Sequence, residues 1–394
     1  MHIDRTANNV HPATLVALEG IVILSYAVKP TLARRWGFFL LITAISTYIL
    51  LFYRMNLEEI TVTEVGWSAR FIQLILFASS NLLLSNAQED LRLVGQKEAI
   101  TNKPFLQRLW WGVVVWGNPR GVNFTHERGN PPKPQHKTRT SFILWQLRST
   151  LFLALIYDVN GMVQRASPYH AKTIPDVQGL QRLWRLTGFC HGVAVWSMLK
   201  MEVKILSIIF VGLGISSPAD WPDFGGWILE GWTLRRMWGR VWHQMLRRPC
   251  VMHADFLAQK LNLTPKTWST SVFKLFIGFL ITGFLHYISD VYCSSSFTMP
   301  LGTFVFFLAQ PVGIIIEETV MSLVADTALA QRISPRTGKV IGGLWVAMWV
   351  NLTIPYWVDF LKQHTQWLDL MPEFSIILGL WRGEWAPVNK PVMS

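Results

Sequence analysis

Apolar runs free of charge recur along the chain, separated by short polar stretches. Trp36–Tyr53, Phe71–Gln88, Leu275–Ser289, Val291–Ile316 and Val340–Val358 contain no acidic or basic residue apart from His286. Each is long enough, or nearly so, to cross ~30 Å of hydrocarbon. Three further runs carry few charges. Ala13–Val28 holds only Glu19, Ser141–Tyr157 only Arg148, and Leu186–Ser217 is interrupted by Lys200, Glu202 and Lys204. The pattern predicts about eight spans, with Leu186–Ser217 either one long helix or two. In lipid the backbone has no other hydrogen-bond partners, so every span is expected to be a helix. The predicted fold is an all-α, polytopic transmembrane bundle, residues 1–394 forming a single integral membrane domain.

Composition strengthens this reading. Hydrophobic residues make up 51% of the 394 and charged residues only 15%, against roughly 25% charged in an ordinary soluble domain. That excludes a disordered chain. The formal charge of +12 points to lipid headgroups or a polyanionic cosubstrate rather than nucleic acid. Cys190, Cys250 and Cys293 are too few and too scattered for a disulfide framework or a metal site. The start, Met1–Pro12, has no cleavable-signal pattern. The loops Ala87–Thr140 and Pro218–Thr270 are basic, whereas the loop with Glu58, Glu59 and Glu64 is acidic. Basic loops tend to stay cytosolic, which puts the N-terminus in the lumen of a membrane such as the endoplasmic reticulum. The weak point is Gln164–Arg185, mildly basic yet lumenal.

One segment concentrates charge among tryptophans: Trp232-Thr-Leu-Arg-Arg-Met-Trp-Gly-Arg-Val-Trp-His-Gln-Met-Leu-Arg-Arg248. On a continuous helix, Arg236, Arg240, His243 and Arg247 would share a face, with Leu234, Trp238, Val241, Trp242 and Met245 opposite. A helix lying in the headgroup plane fits this pattern. A phosphate-binding ridge also fits, because arginine forks suit bidentate phosphate contacts. A second element is Gly283-Phe-Leu-His286-Tyr-Ile-Ser-Asp290. An ionisable group at membrane depth is costly and usually functional. His286 could accept a proton or form a cross-helix hydrogen bond, and Asp290, one helical turn on, could orient its ring. Elsewhere, His191 reads as a packed or interfacial histidine rather than a catalytic one. Glu317 and Glu318 read most simply as a helix-end pair at the interface, although one could face a cavity. Lys200 and Lys204 read as snorkelling side chains at a helix break. Trp110, Trp111 and Trp116 suggest a short surface helix, Asn130–Gln135 a loop, and Phe374–Trp381 a piece too short to span. Pro311 and Pro355 should kink their helices.

Together these residues resemble the wax synthase-like branch of the membrane-bound O-acyltransferases, and within it the fungal acetyltransferases of secondary metabolism. The match lies in Asp220-Trp-Pro-Asp-Phe-Gly225, in Leu234-Arg-Arg-Met-Trp-Gly-Arg-Val-Trp-His-Gln244 and in His286, over a core region of 218–290. Met237 stands where the family usually has Phe, and His243 where many relatives have Asn. Asn118-Pro-Arg-Gly-Val122 is a looser match. The resemblance implies an acyl-CoA-dependent O-acyltransferase with His286 as general base, His243 orienting the thioester or stabilising its oxyanion, and Asp290 in support. Charge geometry adds Arg236, Arg240 and Arg247 as the CoA-phosphate ridge. The expected reaction is acetyl transfer from acetyl-CoA to a hydroxyl of a hydrophobic terpenoid or meroterpenoid, with no bound cofactor or metal. A long-chain wax-ester synthase is the alternative within this chemistry. A transporter and a small terpene cyclase are alternatives outside it.

Overall fold

The computed structural model describes residues 10–53, 62–125, 138–167, 187–293, 301–328, 332–364 and 374–385. The start before Val10, Glu58 and Glu59, the Pro-rich loop 130–135 and most of the loop 164–185 lie outside these residues. Among the described residues there is no strand, only an isolated bridge between Leu93 and Phe124. The helices are α1 (Pro12–Ala27), α2 (Leu32–Phe52), α3 (Val62–Ala78), α4 (Ala87–Asp90), α5 (Phe105–Trp116), α6 (Arg139–Ala166) and α7 (Phe189–Gly212). They continue with α8 (Leu234–Arg236), α9 (Arg247–Lys260), α10 (Trp268–Cys293), α11 (Leu301–Val324), α12 (Pro335–His364) and α13 (Ile376–Arg382).

The predicted all-helical membrane fold is what the chain adopts. Among the described residues, six stretches are long and apolar enough to cross a membrane: α2, Gly66–Leu84, α6, α10, α11 and Pro335–Asp359. The other two predicted segments are also helices, α1 at 16 residues and the lysine-bearing α7 at 24. Two boundaries move. Val291 closes α10 rather than opening the next span. Leu186–Ser217 carries one unbroken helix, so its lysines mark no break. Helices α11 and α12 run on through Pro311 and Pro355.

Local chemistry sets several ends. Thr31 and Thr138 cap α2 and α6 by accepting from the backbone N–H of Arg34 and Ser141, which satisfies donors that a helix start leaves unpaired. Helix α3 runs into a π-turn, Ser79–Leu84. Arg35 closes that turn, donating to the carbonyls of Leu82, Leu83 and Ser85.

The chain divides into two compact units. The first comprises Met1–Asn130 and Met245–Pro311. In it α10 packs on α3 and α9, α2 on α3, and α1 on α2 and α5. Its core gathers Leu18, Tyr26, Ile42, Phe71, Phe77, Cys250, Leu285 and Tyr292. Beside this core, partly buried Glu19 accepts both Nε and Nη2 of Arg70 at 2.9 Å and the Trp116 indole at 2.6 Å. Trp111 is buried, so of the three expected surface tryptophans only Trp110 is exposed. The second unit comprises Pro131–Gln244 and Val312–Ser394. There α6 packs along α7, which also meets α12, and α13 packs on α6. His191 is buried edge-on to Trp357, as expected of a packed histidine. Exposed Leu40, Leu41, Leu144, Leu151 and Leu352 form apolar outer faces suited to lipid, where water would penalise them.

Candidate functional site

In the second unit, the motif segment departs from the helix its periodicity predicts. Thr233 caps α8 by accepting from Arg236 N–H, but α8 lasts one turn. Met237–Val241 then forms a π-turn, and Trp242 is extended at φ −67°, ψ 155°. The helix does not resume until Arg247. Arg236, Arg240, His243 and Arg247 therefore do not share one helical face, because the backbone breaks between Arg240 and His243. Arg247 belongs to α9 in the first unit.

The break follows from a close backbone approach. Gly226 N–H donates to the Arg240 carbonyl at 2.7 Å. A Cβ at Gly225 would lie 2.4 Å from the Val241 carbonyl oxygen, so only glycine fits there. The turn before it rests on α7. Lys200, 1% exposed, donates to the Gly225 carbonyl at 2.6 Å and the Gly226 carbonyl at 3.2 Å. Its ammonium lies 5.1 and 5.0 Å from the ring centres of Trp196 and Trp227. Lys204, 5% exposed, donates to Gln146 at 2.9 Å. Asp223 lies 3.8 Å from Lys200 and 3.5 Å from Lys204. These lysines do not snorkel outward; they hold the interior together. Sequence reasoning missed them, although two lysines four apart on an apolar helix share one face.

This scaffold carries His243 into a small cavity of about 10 Å³, lined by Trp196, Leu199, Lys200, Phe224, Gly225, Val241 and Trp242. That is room for about one water. The imidazole stacks on Phe224, centroids 6.5 Å apart at 26°, and lies 5.4 Å from the Trp242 ring. Its Nδ1 is buried with no hydrogen-bond partner among the described residues. Although the side chain keeps some accessible surface, dense packing around the ring disfavours the charged form and lowers its pKa to about 4. His243 is thus a neutral imidazole near pH 7, able to donate from one nitrogen and accept at the other.

The arginines lie beside this pocket in the chain. Arg240 pairs with Glu230 at 2.8 Å. Arg236 donates to the Glu230 carbonyl and lies 3.8 Å from the centre of the Trp232 ring, which Lys339 of α12 also approaches at 4.4 Å. Glu317 and Glu318 are not a helix-end pair, since α11 continues to Val324. Glu317 is buried and accepts from Leu234 N–H at 2.7 Å, while Glu318 pairs with Arg235.

In the first unit, His286 is half-buried on α10. Its ring lies flat against Phe307 of α11, centroids 4.8 Å apart and planes 5° from parallel. Gly283, one turn earlier, lets α11 approach, since a Cβ there would meet Phe307 at 3.1 Å. Asp290 is fully buried and accepts from the Thr303 hydroxyl. The histidine, the aromatic plane and the carboxylate thus share the α10–α11 pair, while His243 belongs to the other unit.

The membrane bound O-acyl transferase family matches residues 221–309, a stretch that includes His243, His286 and Asp290. The chain is also 30% identical to the acetyltransferase eriL of Hericium erinaceus over 357 residues, 88% of this chain and 90% of that one. It is 28% identical to the acetyltransferase ple2 of Rhodocybe pseudopiperita over 388 residues, 95% and 97% of the two chains. A third relative, the acetyltransferase spyB of Aspergillus fumigatus, is 26% identical over 334 residues, 76% of this chain and 56% of that one. No solved structure matches. The chain belongs to the membrane bound O-acyl transferase family and is an integral membrane acyltransferase. This sets aside the transporter and the terpene cyclase.

Proposed function

We propose that the protein is an O-acetyltransferase. It moves the acetyl group of acetyl-CoA onto a hydroxyl of a hydrophobic terpenoid or meroterpenoid, in the endoplasmic reticulum membrane. The observation that carries this reading is likeness along nearly the whole chain to relatives named acetyltransferases.

In this reading the 394 residues work as one acyltransferase domain with its core in 218–290. His286 takes the proton of the acceptor hydroxyl as its oxygen attacks the thioester carbonyl. Asp290 steadies that imidazole. Neutral His243 donates to the carbonyl oxygen as it gains charge. The carbon–sulfur bond then breaks, and the thiolate leaves and recovers the proton from His286, giving ester and CoA. Arg236, Arg240 and Arg247 receive CoA phosphates, now as separate contacts rather than one helical ridge.

The test incubates membranes bearing the protein with labelled acetyl-CoA or palmitoyl-CoA and a panel of terpenoid and fatty alcohols. Acetyl esters of a terpenoid alcohol are expected. Palmitoyl esters of a fatty alcohol alone would make it a wax-ester synthase instead.

A further inference from the structure

The mechanism above uses no residue of α7, yet α7 places an ammonium group in the wall of the His243 cavity. Burying a charge is costly unless it is paired and hydrogen-bonded. Lys200 has both: two carbonyl acceptors, two tryptophan faces and Asp223 nearby. Apolar packing could attach a loop to a helix at no such cost. What the ammonium adds is direction, because it fixes where two adjacent carbonyls point.

From those carbonyls a continuous set of contacts leads to the imidazole. Gly226 holds the Arg240 carbonyl, and Gly225 packs against the Val241 carbonyl. Trp242 turns extended directly after. On the same turn, Phe224 lies stacked on His243. A change at Lys200 therefore reaches His243 from both sides, through the backbone that carries it and the ring it rests on.

We propose that Lys200 is a positioning residue for His243. It clamps the Phe224–Gly226 turn against the Arg240–Trp242 backbone and so sets the plane of the imidazole. The proposal rests on the reading that His243 acts in acyl transfer, and a double-mutant cycle separates the two. Lys200→Met keeps the side-chain volume and removes the charge. With labelled acetyl-CoA and whichever panel alcohol the native enzyme esterifies, it should lower kcat about 10- to 100-fold, the scale of a misplaced group. KM for acetyl-CoA should stay nearly constant. His243→Ala should lose about 100-fold or more. The double variant should be no slower than His243→Ala alone, because Lys200 acts only through His243. Should Lys200→Met fail to accumulate in membranes, the cycle is run with Lys200→Arg, which keeps the charge but changes the geometry of its donors to the Gly225 and Gly226 carbonyls, and the same non-additivity is expected. Losses that multiply in the double variant would overturn the role of Lys200 while leaving His243 in place. Full activity of His243→Ala would remove the underlying reading instead.

Discussion

His286 and Phe307 lie face to face across α10 and α11, their planes 5° from parallel. A base works only if its lone pair points along the path of the proton it takes, and a flat aromatic neighbour limits how the imidazole can tilt. Replacing His286 with Ala should cost about 100- to 10,000-fold in acyl transfer, with unchanged membrane insertion. Phe307→Leu should cost less, since the base remains and only its plane is freed. Both are read by single-turnover transfer from labelled acetyl-CoA. Normal transfer by His286→Ala would refute the assignment.

Burial of His243 has a consequence for stability as well as for charge state. Its pKa in the fold is about 4, against an ordinary 6.5. Between those values the unfolded chain binds a proton that the folded chain does not. Stability should therefore rise with pH across that window, level off above it, and fall as the pH drops toward 4. His243→Asn removes the titrating group. Thermal unfolding in detergent at pH 4.5 and 7.5 should show a smaller loss on acidification in the variant than in the native protein. Equal losses would mean that the imidazole is not held neutral by burial.

Arg236 and Arg240 differ in what already holds them. Arg240 is engaged by the Glu230 carboxylate, whereas Arg236 has a backbone carbonyl and the Trp232 ring, with Lys339 on the same ring. An exposed ion pair contributes little, so Arg240 remains available to a polyanion. If the two arginines contact CoA in ground and transition states alike, their loss raises KM and leaves kcat alone. Arg236→Ala and Arg240→Glu should each raise the acetyl-CoA KM about 10-fold or more, the scale of a charge-assisted hydrogen bond. An unchanged KM would assign these arginines to lipid headgroups.

Much of the architecture was legible because a long apolar segment in lipid can satisfy its own backbone only as a helix, so uncharged runs became helices at the expected places. The one-turn spacing of His286 and Asp290 was likewise a property of one helix. What periodicity missed depended on contacts distant in sequence. The Arg–His wheel failed because Gly225 and Gly226, some fifteen residues earlier, seize the Arg240–Val241 backbone. A pattern of period 3.6 carries no sign of that. Lys200 and Lys204 looked like interruptions because their partners, a turn with Asp223 and Gln146 on α6, are invisible from α7 alone. The signal that could have found them is that charged side chains in membrane helices usually face the protein interior.

Glu317 gives the motif segment a second anchor within the same unit, opposite in sign to Lys200. Its carboxylate accepts from the backbone N–H of Leu234, the first residue of α8. A carboxylate there satisfies a donor that the short helix cannot. Glu317→Gln keeps an acceptor oxygen but gives up the charge. Glu317→Ala leaves the buried N–H unpaired, which costs about 1–3 kcal/mol. Thermal unfolding in detergent should therefore rank native above Gln, and Gln above Ala. Acyl transfer by Glu317→Gln should stay close to native, because α8 keeps its anchor and the π-turn that leads to His243 keeps its start. If Ala and native unfold at the same temperature, Leu234 N–H has another partner and Glu317 does not hold the segment.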